Sequence, residues 1–362
     1  VNGSRDLRAT RLARQGADGP MVLPDPDRAG RRGPSAPGRR RARHRPARRR
    51  QAVLAVACAL AVIAAALIVL GTWGANQAGP PPDPSGQAGL PATPGSYLGV
   101  YSPSAPSSYA GVTSFTSTTG VRPRLVVYYS GWQEPFQAGF AASAARHGAV
   151  PMVQIDPTDV SLTAIAAGRY DAYLTSYALA VRAYHRPVVL SFGHEMNAPW
   201  YSWGYLHTSP AAFVAAWRHI VTRFRQLGVR NVTWLWTVNV IQSQDGKTLR
   251  PAAWWPGRSY VTWVGVDGYY LEPSWRFASI FGPTIVALRE LTPDPILIAE
   301  TSATRAAGQA AKIPDLFAGV HTYGLLGFIW FNAVTSHDYQ LTDPAAIAAY
   351  HRAAQAYPAP AS

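Results

Sequence analysis

Eight short apolar runs, each followed by enough chain to cross back as a helix, most restrict what this sequence can fold into. The runs are Tyr97–Tyr101, Arg124–Tyr129, Val150–Ile155, Pro187–Phe192, Asn231–Thr237, Val261–Asp267, Pro295–Ala299 and Leu325–Phe331. Between them, apolar residues recur at helical spacing. In Pro210–Leu227 the residues Phe213, Trp217, Ile220, Val221, Phe224 and Leu227 make one stripe. Ser209 is placed to cap that helix, Pro210 suits its first turn and Gly228 its end. Tyr170–Tyr184, Ile280–Leu291, Gln309–Val320 and Pro344–Tyr357 follow the same pattern, the last opening on Asp343-Pro344. The first crossover, Ser107–Gly120, is rich in Ser and Thr and its helical pattern is faint. Eight strand–helix units predict a (β/α)8 TIM barrel, a fold of about 250 residues. A doubly wound open sheet would ordinarily show a Gly-rich phosphate loop after an early strand, and the sequence has none.

The chain has 362 residues, so a barrel leaves about a hundred over at the N-terminus. Residues 1–50 hold 15 Arg and 4 Asp, a net of +11 out of +14 for the chain, and almost no large apolar side chains. Such a segment cannot bury enough surface to order itself and is predicted to be disordered. Next comes Ala52–Leu70, uncharged over 19 residues and flanked by Arg48-Arg49-Arg50. That length crosses roughly 30 Å of hydrocarbon as a helix. The flanking arginines predict a cytoplasmic tail and an exterior domain. A cleaved signal peptide is the alternative, with Ala75 to Ala78 offering small residues to a peptidase. Residues 74–95 are rich in Pro and Gly and read as an extended spacer. The expected organisation is a tail at 1–50, a membrane segment at 51–73, a linker at 74–95 and the barrel at 96–358. The tail lacks the interleaved aromatics of a nucleic-acid interface, so no nucleic-acid partner is expected. One cysteine, Cys58, excludes both an intrachain disulfide and a thiolate zinc site.

Barrel enzymes place their chemistry where the strands end. Polar residues just past the runs are Tyr101, Tyr129, Trp132, Asp156, His194, Glu195, Asn239, Asp267, Tyr269, Tyr270, Glu300, Trp330 and Asn332. Glu195 follows the fourth run and Glu300 the seventh. Two carboxyl groups facing each other across a barrel mouth suit retaining glycoside hydrolysis, in which one protonates the departing oxygen and the other attacks the sugar. The negative nucleophile also raises the pKa of the acid. His194-Glu195 does not continue as HExxH, because residue 198 is Ala, so a zinc protease is excluded. Asp156 and Asp267 suit sugar hydroxyls or local backbone equally. Asn231-Val232-Thr233 is a glycosylation sequon that opens a predicted buried strand. Many tryptophans crowd the domain. Trp217 and Trp234 fit the core, whereas Trp200, Trp203, Trp255, Trp275 and Trp330 lie where flat rings can meet sugars.

His194 to Trp203, HEMNAPWYSW, resembles the acid/base motif HEMNGxWYxW of glycoside hydrolase family 26. WWPGRSYVTWVGVDGYY at 254–270 and ILIAETS at 296–302 support the likeness, which runs over most of Tyr97–Tyr357. The resemblance implies a retaining (β/α)8 hydrolase with Glu195 as acid/base and Glu300 as nucleophile. It implies contact of His194 with the substrate or the nucleophile, a subsite role for Trp200, a hydrogen bond from Tyr269 or Tyr270 to the nucleophile, and Trp330 as the platform under the sugar; Asn197 and Asp267 are further candidate substrate contacts. Ala198 departs from the usual Gly. The expected protein is a monomeric, membrane-anchored β-glycanase that needs no metal or cofactor. β-1,4-Mannan is its leading polysaccharide, with β-1,3-xylan and mixed-linkage β-glucan as alternatives. A tethered glycan-binding barrel without activity is the reading from another class.

Overall fold

Val, Ile, Leu and aromatic side chains fill the predicted runs with little alternation, the pattern of strands covered on both faces. In the computed structural model, which describes residues 90–244 and 247–357, every run forms a strand. They are β1 (Tyr97–Tyr101), β2 (Leu125–Gly131), β3 (Val150–Asp156), β4 (Val188–Phe192), β5 (Val232–Asn239), β6 (Trp263–Asp267), β7 (Ile296–Thr301) and β8 (Gly327–Phe331). All neighbours are parallel, and the sheet closes because β1 pairs with both β2 and β8. The helices are α1 (Ala110–Thr119), α2 (Ala138–Arg146), α3 (Leu162–Ala166), α4 (Asp171–Tyr184), α5 (Pro210–Gln226), α6 (Phe277–Ile280), α7 (Gly282–Leu291), α8 (Gln309–Thr322) and α9 (Pro344–Gln355). A short hairpin (Ser243–Gln244 with Lys247–Thr248) follows β5. The expected tail, membrane segment and most of the linker lie outside the described residues. Among those described, no helix is long and apolar enough to cross a membrane.

α5 forms as its sequence predicts. Ser209 accepts a hydrogen bond from the Ala212 amide, Pro210 sits in the first turn, and Phe213, Trp217, Ile220, Val221 and Phe224 are buried. Truncating a buried residue such as Trp217 to alanine costs about 3–5 kcal/mol. Asp343 caps α9 in the same way. The helix expected over Ile280–Leu291 forms as α7, and the short α6 precedes it. Pro283 lacks the amide that would continue α6 and instead occupies the first turn of α7. The faint pattern of the first crossover does form a helix, α1.

Side chains sort onto the two faces of the barrel wall by parity. Tyr97 of β1 packs against Trp263 of β6, with ring centroids 4.9 Å apart. These strands are not neighbours, so the contact runs through the barrel interior. Tyr101, Leu125, Val127, Tyr129, Met152, Val189, Leu235, Leu297, Ile329 and Phe331 share that interior cluster. Val100, Val126, Val153, Leu190, Trp236, Val266 and Phe328 pack outward against the helices. Gly327 allows β8 to close on β1, because a Cβ there would fall 1.7 Å from the Tyr97 carbonyl oxygen. β7 breaks the parity. Val266 pairs with Ile298 but Asp267 with Glu300, so a bulge adds one residue between them. Ala299 and Glu300 both turn inward as a result.

Candidate active site

β4 ends in a sharp corner. Gly193 and Glu195 both have left-handed φ, +54° and +55°. Gly adopts this freely, but Glu at such a φ is strained by about 1 kcal/mol or more. The corner is held by the Gly193 amide donating to the Ile155 carbonyl (2.9 Å) and the Glu195 amide to the Thr237 carbonyl (3.0 Å). Asn197 ties it to β5. Its Nδ2 donates to the Asn239 carbonyl (2.9 Å) and its Oδ1 accepts from the Asn239 amide (2.8 Å). Ala198 is buried and has no left-handed φ, so nothing in its backbone requires Gly.

The aromatic residues of the motif bond back onto the His-Glu pair. Trp200 Nε1 donates to Glu195 Oε2 (2.7 Å). Tyr201 meets His194 Nε2 (3.0 Å), and Trp203 Nε1 donates to the His194 carbonyl (2.8 Å). Tyr201 and Trp203 stack at 4.2 Å and 9°. Trp203 is therefore a buried support. Asn239 Nδ2 donates to Glu195 Oε1 (2.5 Å), and Gln242 Nε2 to Asn239 Oδ1 (2.6 Å). Burial pushes Glu195 up to about 7. The Glu300 charge adds to the rise, while His194 and the two N–H donors oppose it. His194 Nδ1 lies 2.9 Å from Asp156 Oδ1. Burial alone would lower the imidazole pKa, but the Asp156 charge and hydrogen bond, helped by Glu195 and Glu300, raise it to about 9. At neutral pH His194 is then a cation donating to both Asp156 and Tyr201.

Across the mouth, the Tyr129 hydroxyl donates to Glu300 Oε2 and the Tyr269 hydroxyl to Oε1. Burial raises the Glu300 pKa, and His194 with these two hydroxyls restrains the rise. Asp267 is wholly buried, and neither of its oxygens has a hydrogen-bond partner among the described residues. Burial first, then the charges of Glu300, Glu195 and Asp156, push its pKa well above the carboxylate range. A ligand-type atom of His194, of Asp267 and of Glu300 all lie within 4.8 Å of one another. Both His194 nitrogens and both Glu300 oxygens are already engaged in this set.

The site thus gathers His194, Glu195, Asn197, Trp200, Asp267, Tyr269 and Glu300. Two predicted members stand elsewhere. Trp330 pairs with Val100 and points outward, 1% exposed, with its ring 5.9 Å from that of Tyr350 on α9. The inward residue is the next one, Phe331, stacked on Tyr101 at 4.8 Å and edge-on to Tyr269. Tyr270 also falls on the outer side, where its hydroxyl donates to Asp315 Oδ2 (3.0 Å). Both corrections follow from the two-residue period of a strand, which puts neighbours on opposite faces. Trp255 and Trp275 are half-buried against the outer core, and Trp132 lies within it. Tyr129 and Asn239, noted only as strand-end residues, hold the two glutamates. Strand parity marks both, through Leu125-Val127-Tyr129 and Leu235-Thr237-Asn239. Tyr201 carried no such signal.

The sequence profile of glycosyl hydrolase family 26 matches residues 172–317, a stretch that holds both Glu195 and Glu300. Endoglucanase H of Acetivibrio thermocellus is 29% identical over 273 residues, which are 71% of this chain and 30% of that protein. The β-1,3-xylanase TXYA of a Vibrio species is 26% identical over 175 residues, 45% of this chain and 36% of its own. The chain thus spans about a third of the length of these curated relatives. The solved structure of a Cellulomonas fimi endo-β-1,4-mannanase double mutant superposes with a TM-score of 0.55 at 17% identity, covering 66% of this chain and 65% of that one. At that identity the likeness is one of fold.

Proposed function

We propose that the chain is a member of glycosyl hydrolase family 26, whose profile matches residues 172–317, and that its barrel is a retaining β-glycanase with Glu195 as acid/base and Glu300 as nucleophile. The observation that carries the reading is the contrast between the two carboxyl groups in one buried mouth. Glu300 accepts from two tyrosine hydroxyls, which favour the ionised form and fix its oxygens for attack. Glu195 sits at about 7, where a carboxyl group can both give and take a proton near neutrality. In the first step a Glu300 oxygen bonds to the anomeric carbon, the glycosidic C–O bond breaks, and the Glu195 proton passes to the departing oxygen. In the second step water adds to the same carbon and releases Glu300, giving its proton back to Glu195. His194, Asp267 and Trp200 line this centre, and Asn197 acts through Asn239.

β-1,4-Mannan is the first substrate to test, on the strength of the motif. A β-glucan is the second reading, because the relative similar over 71% of this chain is named an endoglucanase. A panel of mannan, β-1,3-xylan and mixed-linkage β-glucan with product sizing separates them, and binding without any cleavage would establish the tethered binder instead. Glu300→Ala is expected to abolish cleavage with the fold intact, and near-normal turnover would overturn the nucleophile assignment. The membrane anchor and exterior location are proposed from Ala52–Leu70 and the arginines before it. Full-length protein in the membrane pellet supports them, and a soluble species beginning near Gly79 favours the cleaved signal.

A further inference from the structure

Both oxygens of Glu195 are occupied by N–H donors. Asn239 Nδ2 holds Oε1 and Trp200 Nε1 holds Oε2. An indole N–H only donates, and the Asn239 amide is oriented by the donation of Gln242 Nε2 to its Oδ1. Each donor favours the carboxylate over the acid, because the hydroxyl oxygen of a neutral carboxyl is the poorer acceptor. For Glu195 to protonate a glycosidic oxygen, that oxygen must come within hydrogen-bond reach of one of these two atoms. One donor therefore has to leave. Asn239 is 3% exposed, and its main chain is paired with Asn197 as well as its side chain with Gln242. Trp200 is only half-buried, and its indole N–H makes a single bond, the one to Glu195.

We propose that Oε2 is the proton-donating oxygen of Glu195 and that Trp200 is its substrate-displaced cap. Before substrate enters, the indole bond favours the carboxylate form of Glu195. The entering sugar chain takes the indole off Oε2, and Glu195 gains its proton as the substrate seats. Trp200 is a positioning residue here, and its ring is free to lie against the leaving-group sugar once it has moved. The proposal rests on the acid/base reading of Glu195.

The titratable groups around Glu195 are His194 and Tyr201 on its own loop, Asp156 of β3, Tyr129 of β2, Asp267 and Tyr269 at the end of β6, and Glu300 of β7. β5 brings only the neutral Asn239. Trp200→Phe alters none of these and keeps an apolar ring while removing the N–H. The alkaline limb of kcat/KM reports the acid in the free enzyme, and that of kcat the acid in the complex. In Trp200→Phe the kcat/KM limb is expected to move up by about one pH unit, while the kcat limb stays in place. Asn239→Ala, which removes the donor that never leaves, is expected to move both limbs. Equal movement of both limbs in Trp200→Phe would show that the indole stays on Glu195 through the reaction. No movement of either would leave Trp200 a platform only. Either result overturns the proposal.

A second measurement does not need the Trp200 variant to fold. Calorimetric titration of β-1,4-mannohexaose into the inactive Glu300→Gln protein, in buffers of different ionisation enthalpy, is expected to show proton uptake on binding. A mixed-linkage glucan hexasaccharide replaces it if the panel returns glucan. Binding with no proton uptake at any pH between about 5 and 8 overturns the cap. Undiminished turnover by Glu195→Ala would instead remove the acid/base reading itself, so the two failures are distinguishable.

Discussion

The side-chain amide of Asn197 pairs with the main chain of Asn239 through two hydrogen bonds of 2.9 and 2.8 Å, as one strand residue pairs with another. The β4 corner is thereby spliced to the end of β5, and Asn239 is set to reach Glu195. Asn197→Ala leaves a buried amide and a buried carbonyl unpaired, which costs about 1–3 kcal/mol for each group. A lower urea midpoint together with reduced kcat is the expected outcome. Asn197→Asp keeps the acceptor and should lose less of both.

Glu195 combines catalytic chemistry with a backbone conformation that suits glycine. Glu195→Gly relieves that strain and Glu195→Ala retains it. The glycine variant should be the more stable of the two inactive proteins by about 1 kcal/mol. Equal unfolding free energies would mean that the corner carries no strain.

Stability should fall from mildly acidic to alkaline pH. His194 is raised in the folded state from 6.5 to about 9. Its contribution is fully present below about 6.5 and is lost as pH rises through about 9. Glu195 is raised from 4.5 to about 7, so the folded state holds its proton longer and loses that advantage over this interval. Asp156, Asp267 and Glu300 are raised too and act in the same direction. Urea midpoints measured from pH 5 to 9.5 test the sign, with Asp156→Asn expected to flatten the part above pH 6.5. A midpoint that climbs over this range contradicts the buried charges described above.

Trp330 and Phe331 provide a direct test of which face of β8 meets the sugar. Trp330→Phe should cost about 1–3 kcal/mol of stability through lost packing against α9 and change kcat/KM only a few-fold. Phe331→Ala opens the floor beneath Tyr101 and Tyr269 and should reduce kcat strongly. The reverse ranking in a kinetic comparison would restore Trp330 as the platform.

Much of this was legible from residue type and spacing. Eight apolar runs, Ser209-Pro210 and Asp343-Pro344 each predict a local structure that forms, and the strand-end rule brings Glu195, His194, Asp267 and Glu300 together. Which face a residue takes was harder to read. A barrel strand is buried on both sides, so hydrophobicity does not distinguish Trp330 from Phe331 or Tyr269 from Tyr270. Parity counted from Tyr97 and Trp263 does, but only once a contact fixes which face is inside. The aromatic run after Glu195 looked like a row of sugar platforms. Trp200, Tyr201 and Trp203 instead bond to the residues that precede them, a relation invisible until the loop is folded.

Parity also fails in β7, and there the failure is what matters. If β7 kept strict alternation through Ala299 instead of bulging there, the carboxylate of Glu300 would share the helix-facing side with Ile298, in hydrocarbon and out of reach of Tyr129 and Tyr269. The same side chains in the same order would then build an intact but inert barrel. The bulge alone separates those two molecules. Relatives that keep both glutamates but lack this irregularity are therefore poor candidates for enzymes, however well their motifs align.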